Sequence, residues 1–170
     1  KLVGKFVNDA KRQVEDAYNW NALTSTLTAV TSASTFNYVM TGTGSRFKVI
    51  EIYNNTARNF LSPQTSKQMT QNFLSSPTPV HGIPFYYNFN GINSNGDTQV
   101  DIFPIPDGAY TLFFNLYIPQ EELVNDGDNM LVPKEPVVLL AYARSLVERG
   151  EDGGLNSSEA YSMYKSALSD

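Results

Sequence analysis

The sequence predicts an α+β fold, in which an N-terminal helix and two C-terminal helices pack together and a central antiparallel β-rich region is inserted between them. Apolar residues recur at spacings of three and four near both ends of the chain. The middle alternates polar with apolar residues and is rich in Thr, Val and aromatic side chains. These two patterns are typical of helices and strands, respectively.

One domain is expected over 1–170, because the 170 residues are enough to bury a sizeable core and no fixed repeat divides them. The predicted helical part takes residues 1–23 and 134–170. The predicted β-rich part takes 24–118, with a short helix near 63–75.

The first helix is indicated by one apolar stripe along the N-terminal segment. The residues of that stripe are Val3, Val7, Ala10, Val14 and Ala17. Lys11, Arg12, Glu15 and Asp16 lie off the stripe. Trp20, the single Trp, is expected to anchor the end of the helix in the core.

Strands are predicted from Leu23 to Met40 and again over "RFKVIEIYNN", with "TGTGS" as the turn between them. Alternation in "SASTFNYVM" places Phe36, Tyr38 and Met40 on one side. In the next strand, Phe47 and Val49 share one face, whereas Ile50 and Ile52 fall on the other. This switch of face predicts either a bulge or a strand buried on both sides.

A short helix follows, with Pro63 at its opening and with Met69 and Phe73 one turn apart. A hairpin is then predicted from "FYYNFNG" and "TQVDIF", because the intervening Asn95-Gly96 is a strong turn signal. "PIPDGAY" predicts another turn, and "TLFFNLYI" a third strand. The three strands in succession predict a β-meander.

Two helices are predicted at the C-terminal end. The first runs from Lys134 to Arg149 and stops at Gly150. Its expected apolar face comprises Val138, Leu139, Tyr142 and Leu146. The second has Ser157 or Ser158 as its N-cap. Its expected apolar stripe comprises Ala160, Tyr161, Tyr164, Ala167 and Leu168.

Catalytic and metal-binding patterns are weak throughout the chain. There is no Cys, and His81 is the only His, so thiolate chemistry is excluded and a Ser-His-Asp triad is disfavoured. Asp126 and Asp128 are compatible with a calcium loop, but "NDGDN" is also the usual composition of an exposed turn. Adjacent Glu121 and Glu122 are poor candidates for paired glycosidase carboxylates. We expect no enzyme activity, no metal and no cofactor.

Composition favours an interaction surface. Only 17% of the residues are charged, and the net charge of −5 disfavours general binding of nucleic acid. No apolar run reaches the length of a membrane span. Ten Tyr and ten Phe exceed what one core accounts for. Two uses stay open for them, namely stacking on carbohydrate and contact between protein subunits.

The ordered series of segments resembles the adaptor, or head-tail connector, proteins of tailed bacteriophages. The segments that carry the resemblance are "FVNDAKRQVEDAYNWNAL", "SRFKVIEIYN", "GIPFYYNFNG", "DIFPIPDGAYTLFFNLYIPQEEL", "DGDNMLVPKEP" and the helical "LLAYARSLVERGEDGG...AYSMYKSAL". They extend over nearly the whole chain. The series is more specific than any one of its motifs.

This resemblance implies a structural virion protein that assembles into a homo-oligomeric ring, usually a dodecamer, beneath the portal protein. The ring would extend the DNA channel, let DNA pass without specific binding, and receive tail tube, nozzle or other tail proteins. Its place would be the neck between head and tail, after assembly in the host cytoplasm, with no membrane involved. The alternative is a carbohydrate- or receptor-binding virion module that uses the aromatic strands.

Two sets of contact residues follow from these expectations. For docking of the last helix, to the portal or within the subunit, the candidates are Tyr161, Tyr164 and Leu168. For the tail side, the candidates are the residues of the hairpin tip, because such tips project from a sheet. They are Asn93, Ser94, Asn95, Gly96 and Asp97.

Overall fold

The computed structural model describes residues 2–44, 46–125, 127–150 and 155–169, and it confirms the α+β fold class. The helices are α1 (Leu2–Ala17), α2 (Ser66–Leu74), α3 (Lys134–Arg149) and α4 (Leu155–Ser169). The strands are β1 (Thr24–Val30), β2 (Asn37–Val39), β3 (Lys48–Asn54), β4 (Asn59–Phe60), β5 (Ser62–Pro63), β6 (His81–Gly82), β7 (Tyr86–Ile92), β8 (Thr98–Phe103), β9 (Ile105–Pro106) and β10 (Thr111–Tyr117).

The chain divides into two compact units. The helical unit comprises Lys1–Leu23 and Pro119–Asp170, and the β unit comprises Thr24–Ile118. Each unit buries its own cluster of apolar side chains. That the two units together form one adaptor domain stays a prediction.

In the helical unit, α3 packs against both α1 and α4, so the predicted packing of the terminal helices is confirmed. The buried cluster comprises Ala10, Val14, Leu23, Val132, Val137, Leu140, Ala141 and Tyr164. Trp20 packs against this cluster and donates from Nε1 to the Val14 carbonyl at 2.7 Å, as expected for an anchor at the end of α1. Gly150 ends α3 with a φ of 66°, a conformation that suits glycine.

Two predictions for this unit are wrong, and the burial of two charged residues was not predicted. Lys11 and Glu15, which lie off the apolar stripe of α1, are buried because a segment near Pro119 covers them. The second helix begins at Leu155, so Ser157 is a buried residue inside α4 rather than its N-cap.

The apolar face predicted for α3 is also wrong in part. Val138 and Tyr142 are 60% and 56% exposed, whereas Val137, Leu140 and Ala141 are buried. Leu139 packs against the buried cluster, as predicted. Both stripes of this helix are apolar, and the buried one includes small Ala side chains that allow close helix packing. Local periodicity does not distinguish two adjacent apolar stripes.

The β unit consists of two four-stranded sheets and one short parallel pair. The first sheet has the order β1-β10-β3-β4, the second has the order β2-β8-β7-β5, and β6 pairs with β9. One core lies between the sheets, formed by Met40, Ile52, Leu61, Tyr87, Val100, Ile102, Leu112, Phe114 and Leu116. Side chains of both sheets contribute to it, which is the arrangement of a β-sandwich.

The predicted hairpin β7–β8 is confirmed, but the predicted meander is wrong. β10 pairs with β1 and β3 in the other sheet and makes no ladder with β8. Between β8 and β10 the chain passes through β9, so the two strands form opposite walls of the core. Short loops favour neighbouring strands, but the need to cover both sides of the core overrides that tendency here.

A bulge interrupts β3, which confirms one of the two explanations for the switch of face. Asn115 faces Glu51 and Leu116 faces Val49, so Ile50 has no partner in the ladder. Ile50 is 43% exposed, whereas Ile52 is buried with Val49 packed against the same core. The prediction that Ile50 and Ile52 share a face is therefore wrong, because the extra residue rotates the strand between them.

Helix α2 packs against β7 and β8, and Met69 is its buried residue. Its N-cap is Thr65, whose side chain accepts from the Gln68 backbone in a capping box. Pro63 lies in β5 and not at the helix opening, so that prediction is wrong. The ring centroids of Phe36 and of Phe73 in α2 are 4.8 Å apart. Phe36 does not join Met40 in the core, so the prediction that these two residues lie on one side is wrong.

Candidate interaction surfaces

The predicted contact residues of α4 occupy different environments. Tyr164 is 7% exposed and belongs to the core of the helical unit, and Leu168 packs against that core. Burial raises the pKa of the Tyr164 hydroxyl above its usual value, and Tyr161 adds to this increase while Arg144 opposes it. Tyr161 is 45% exposed, and its ring lies 4.9 Å from Lys165 Nζ. Of the three residues, Tyr161 offers the most surface to a partner.

Tyr161 also lines a groove of about 610 Å³ in the helical unit. Leu140, Ala143 and Val147 of α3 form its apolar lining together with Phe6 of α1. Its polar lining residues are Gln13, Arg144, Glu148, Ser157 and Ser158. A groove lined by both apolar and polar side chains has the composition of a docking site for a protein segment. The sequence analysis missed it because residues of three helices are needed to form it.

The predicted hairpin tip is a well-defined turn. Asn93 Oδ1 accepts from the backbone N–H groups of Asn95 and Asp97, at 2.9 and 3.0 Å. Asp97 in turn accepts from the N–H of Gly42 at 3.0 Å, which joins the tip to the preceding β-turn. Ser94 and Asn95 are exposed, and Ile92 at the base of the tip is 60% exposed. The tip thus presents a preorganised surface of small polar groups beside one apolar side chain.

A polar cluster that we call the α1 clamp, formed by Asn8, Lys11 and Glu15, holds the segment that leaves the β unit. Lys11 Nζ donates to the carbonyls of Gln120 and Glu121 at 2.7 Å each, and it lies 3.3 Å from Glu15 Oε1. Glu15 accepts from the N–H of Gln120 at 3.2 Å.

Asn8 extends the clamp by pairing with the backbone of Leu123 in both directions. Asn8 Nδ2 donates to the Leu123 carbonyl at 3.0 Å, and the Leu123 N–H donates to Asn8 Oδ1 at 2.8 Å. The clamp therefore satisfies backbone groups of a segment that belongs to no helix or sheet.

The outer face of the first sheet carries a row of aromatic side chains, which we call the aromatic row. Phe113, Tyr53 and Phe60 are register partners on β10, β3 and β4, and the rings of Tyr53 and Phe60 are 5.0 Å apart. Phe60 is 61% exposed. Beside the row, Thr26 donates to Asn115 at 2.6 Å, and Asn115 donates to Glu51 at 2.9 Å. This face combines aromatic and amide groups, either of which could contact protein or sugar.

The weak candidates for metal or acid-base chemistry are divided between the two units. His81 is exposed on β6, and Glu122 lies at the surface 3.7 Å from Arg12. Asp128 accepts from the N–H groups of Val124 and Asn125, and these bonds hold its pKa below the usual range. Asp126 lies outside the described residues.

The described part of the chain contains no group of three His, Cys, Asp or Glu side chains that could hold a metal ion. Among the same residues, no helix is both long and apolar enough to cross a membrane. The surfaces that remain as candidates are thus the groove, the hairpin tip and the aromatic row.

Comparison with known proteins gives one result that covers the chain. A family model described as SU10 adaptor protein matches residues 2–170. No curated protein matches. The matched range includes the helical unit and the β unit alike.

Proposed function

The chain belongs to the SU10 adaptor protein family, a bacteriophage adaptor family, and from this membership we propose that it is a structural protein of the virion neck that connects head to tail. In this proposal it forms a ring beneath the portal, extends the DNA channel and supplies the docking surface for tail components. It acts by binding proteins and catalyses no reaction. The match over residues 2–170 is the observation that carries the proposal.

The surface of the described residues supports a role in assembly. Large exposed apolar side chains occur in both units, including Tyr142, Val147 and Tyr161 in the helical unit and Phe60 and Ile92 in the β unit. Burying them against partner proteins would gain about 25 cal/mol for each Å² of apolar surface. With only 17% charged residues, few ions would lose their hydration in such contacts.

The proposed ring is a dodecamer in which two different surfaces of each copy meet, because closed rings larger than two require heterologous contacts. In the proposal, the groove and Tyr161 in the helical unit bind the portal. The hairpin tip from Asn93 to Asp97 receives tail tube, nozzle or other tail proteins. These two surfaces differ in chemistry, since the groove combines large apolar side chains with charged ones and the tip consists mainly of small polar groups.

Passage of DNA fits the charge of the chain. The net charge of −5 would repel phosphate groups, so DNA in the proposed channel would slide without specific binding. A protein that grips DNA would instead present clustered Lys and Arg.

The proposal is tested by mixing the purified chain with the portal protein of the same phage and imaging the products by negative-stain electron microscopy. Rings coaxial with the portal, at a mass of twelve copies, are expected. A chain that stays monomeric with the portal and with each neck and tail protein of its phage would overturn the proposal. Rings of another copy number would correct the stoichiometry alone.

The aromatic row favours a second candidate, a carbohydrate- or receptor-binding virion module. Planar aromatic rings beside the Thr26–Asn115–Glu51 hydrogen bonds resemble the stacking and polar groups that bind sugars. A glycan array would reveal such binding, and Tyr53→Ala should abolish it. Fluorescence of Trp20 is a poor reporter for this test, because Trp20 packs in the core of the helical unit.

A further inference from the structure

β1 is a long edge strand without the features that usually protect such edges. It is seven residues long, pairs with β10 on one side, and contains no charged residue, no Pro and no bulge. The edge strands β2, β4 and β5 are only two or three residues long, and β5 contains Pro63. Proteins commonly shorten, charge or kink exposed edges, because a free edge can pair with another chain. Three edges of this sandwich are shortened, whereas the edge of β1 is not.

The unpaired backbone groups of β1 can be assigned from its pairing. The Thr31 N–H donates to the Tyr110 carbonyl at 2.9 Å, so this residue faces β10. Because antiparallel strands alternate between facing and not facing their neighbour, Ser25, Leu27 and Ala29 also face β10. The N–H and C=O groups of Thr24, Thr26, Thr28 and Val30 then point away from it, and we call this side the open edge.

The open edge borders an incompletely covered part of the core. Leu27 and Ala29 pack against the buried cluster but are themselves only partly buried. Thr24, Thr26, Thr28 and Val30 on the other face are exposed. A strand added beside β1 would satisfy the free backbone groups and also cover Leu27 and Ala29, provided that apolar side chains occupy every second position.

We infer that the open edge accepts an extended segment of a different virion protein, which adds as a fifth strand to the first sheet. The segment is free of Pro at its paired positions, spans about five to seven residues, and carries apolar side chains facing Leu27 and Ala29. This inference rests on the proposed function, since it takes the partner from among the neighbours of the ring.

Pairing of β1 with the β1 of a second copy suits a ring less well than pairing with a segment of another protein does. Within the described residues, β1 is the one edge strand that is long enough to pair along the whole of another β1. Pairing of β1 with β1 relates two copies by a two-fold axis and closes at two copies. Such pairing would not extend around a ring.

Hydrogen exchange with residue-level resolution tests the inference. In the free chain, the amides of Thr26, Thr28 and Val30 should exchange rapidly, while those of Leu27 and Ala29 are protected. After assembly with portal and tail proteins, the first three should become protected as well. Protection of these amides in the isolated chain that rises with its concentration would indicate pairing between copies and would overturn the inference.

Thr28→Pro and Thr28→Val form a matched pair of variants. Proline removes a backbone N–H that is not bonded to β10, so the sandwich should still fold. Valine keeps the backbone N–H and has a side chain of nearly the same shape as that of threonine. Thr28→Pro should weaken capture of the partner by at least about tenfold, while Thr28→Val should bind as the unaltered chain does. Circular dichroism and thermal unfolding of both variants establish that they fold.

The outcomes separate this inference from the proposed function. One contrary result is that rings form on the portal and capture tail proteins while the amides of the open edge still exchange rapidly. Another is that Thr28→Pro binds the partner normally. Either result would overturn the inference and leave the connector role in place. If Thr28→Pro does not fold, hydrogen exchange of the open-edge amides in the assembly of the unaltered chain tests the inference without the variant. A chain that assembles with no neighbour would overturn both.

Discussion

Lys11 shows how one residue can acquire a role that its neighbours in sequence do not reveal. Its spacing relative to Glu15 is that of an ordinary surface pair on a helix. Its Nζ nevertheless reaches the carbonyls of Gln120 and Glu121, which are more than a hundred positions away. Local periodicity carries no information about such a partner, so the α1 clamp could not be predicted. A buried ion pair of this kind is costly to break because the remaining charge stays buried.

Replacement of Lys11 by Met should destabilise the helical unit by about 3–5 kcal/mol, because it leaves Glu15 buried without its cation and removes the donor for two carbonyls. Urea unfolding followed by circular dichroism measures the change. Lys5→Met, at an exposed position of the same helix, is the matched control. Equal stability of the two variants would show that the clamp contributes little.

Asn54 is a second residue whose burial was not predicted. It is fully buried, and its Oδ1 accepts from the N–H of Ala57 at 3.0 Å in the turn between β3 and β4. Its Nδ2 group is buried without a hydrogen-bond partner among the described residues. Asn54→Ala should therefore cost about 1 kcal/mol, because the Ala57 N–H loses its acceptor while an unpaired buried group is also removed. The exposed neighbour substitution Asn55→Ala should stay within about 0.5 kcal/mol. Thermal unfolding of both variants measures the difference, and a smaller loss for Asn54→Ala would indicate that water replaces the side chain.

The hydrogen bonds that the Asp128 carboxylate accepts should make the stability of the protein depend on pH. Its carboxylate accepts backbone N–H bonds from Asn125 and Val124, which lower its pKa below the usual 3.8. Because the folded pKa is depressed, the stabilising contribution is present above about pH 4 and is lost as the pH falls through the lowered pKa. The amide chemical shifts of Val124 and Asn125 should titrate together in this acidic range. Asp128→Asn should remove that titration, and shifts that titrate at the usual carboxyl pKa would contradict the assignment.

Some features of the helices and strands could be predicted from the sequence, and others could not. The boundaries of α3 and the hairpin β7–β8 followed from their caps and turn residues, which are local signals. The face of α3 and the sheet to which β10 belongs did not follow. Both depend on which distant element covers an apolar surface, and two neighbouring apolar stripes satisfy the same periodicity.

Of the two tyrosines of α4, Tyr164 is buried and Tyr161 is exposed, so the same substitution at both positions separates an effect on folding from an effect on assembly. Tyr164→Asp should unfold or loosen the helical unit, because it places a charge among buried apolar side chains. Tyr161→Asp should leave the thermal midpoint nearly unchanged, because Tyr161 is 45% exposed, and should reduce assembly on the portal. Circular dichroism and negative-stain images measure the two effects. Normal rings with Tyr161→Asp would remove this residue from the proposed interface.

At the scale of the whole molecule, composition was more informative about function than any single site. Within the described residues, the candidate carboxylates and His81 form no group that could hold a metal ion, whereas the low charge and the exposed apolar side chains indicated protein contacts. The groove and the aromatic row each combine residues that are distant in sequence. Their geometry could therefore not be predicted, although the excess of aromatic residues that forms part of them was visible.

Assembly of the chain should depend only weakly on salt, because contacts with few charged groups are little affected by screening. Between about 0.1 and 0.5 M NaCl we expect the fraction of copies in rings to change by less than roughly threefold. Mass photometry over this range measures that fraction. A steep loss of rings with salt would indicate that ion pairs hold the copies together.

The register of β1 and β10 has a consequence for how this protein can diversify. Thr24 and Tyr117 are directly paired, so the chain enters and leaves the β sandwich about 5 Å apart. A linker of two or three residues spans that gap. We therefore expect that a spliced chain lacking 24–118 keeps its helices, as circular dichroism would show. In that case the sandwich could be exchanged for another one during evolution without changes to the helices.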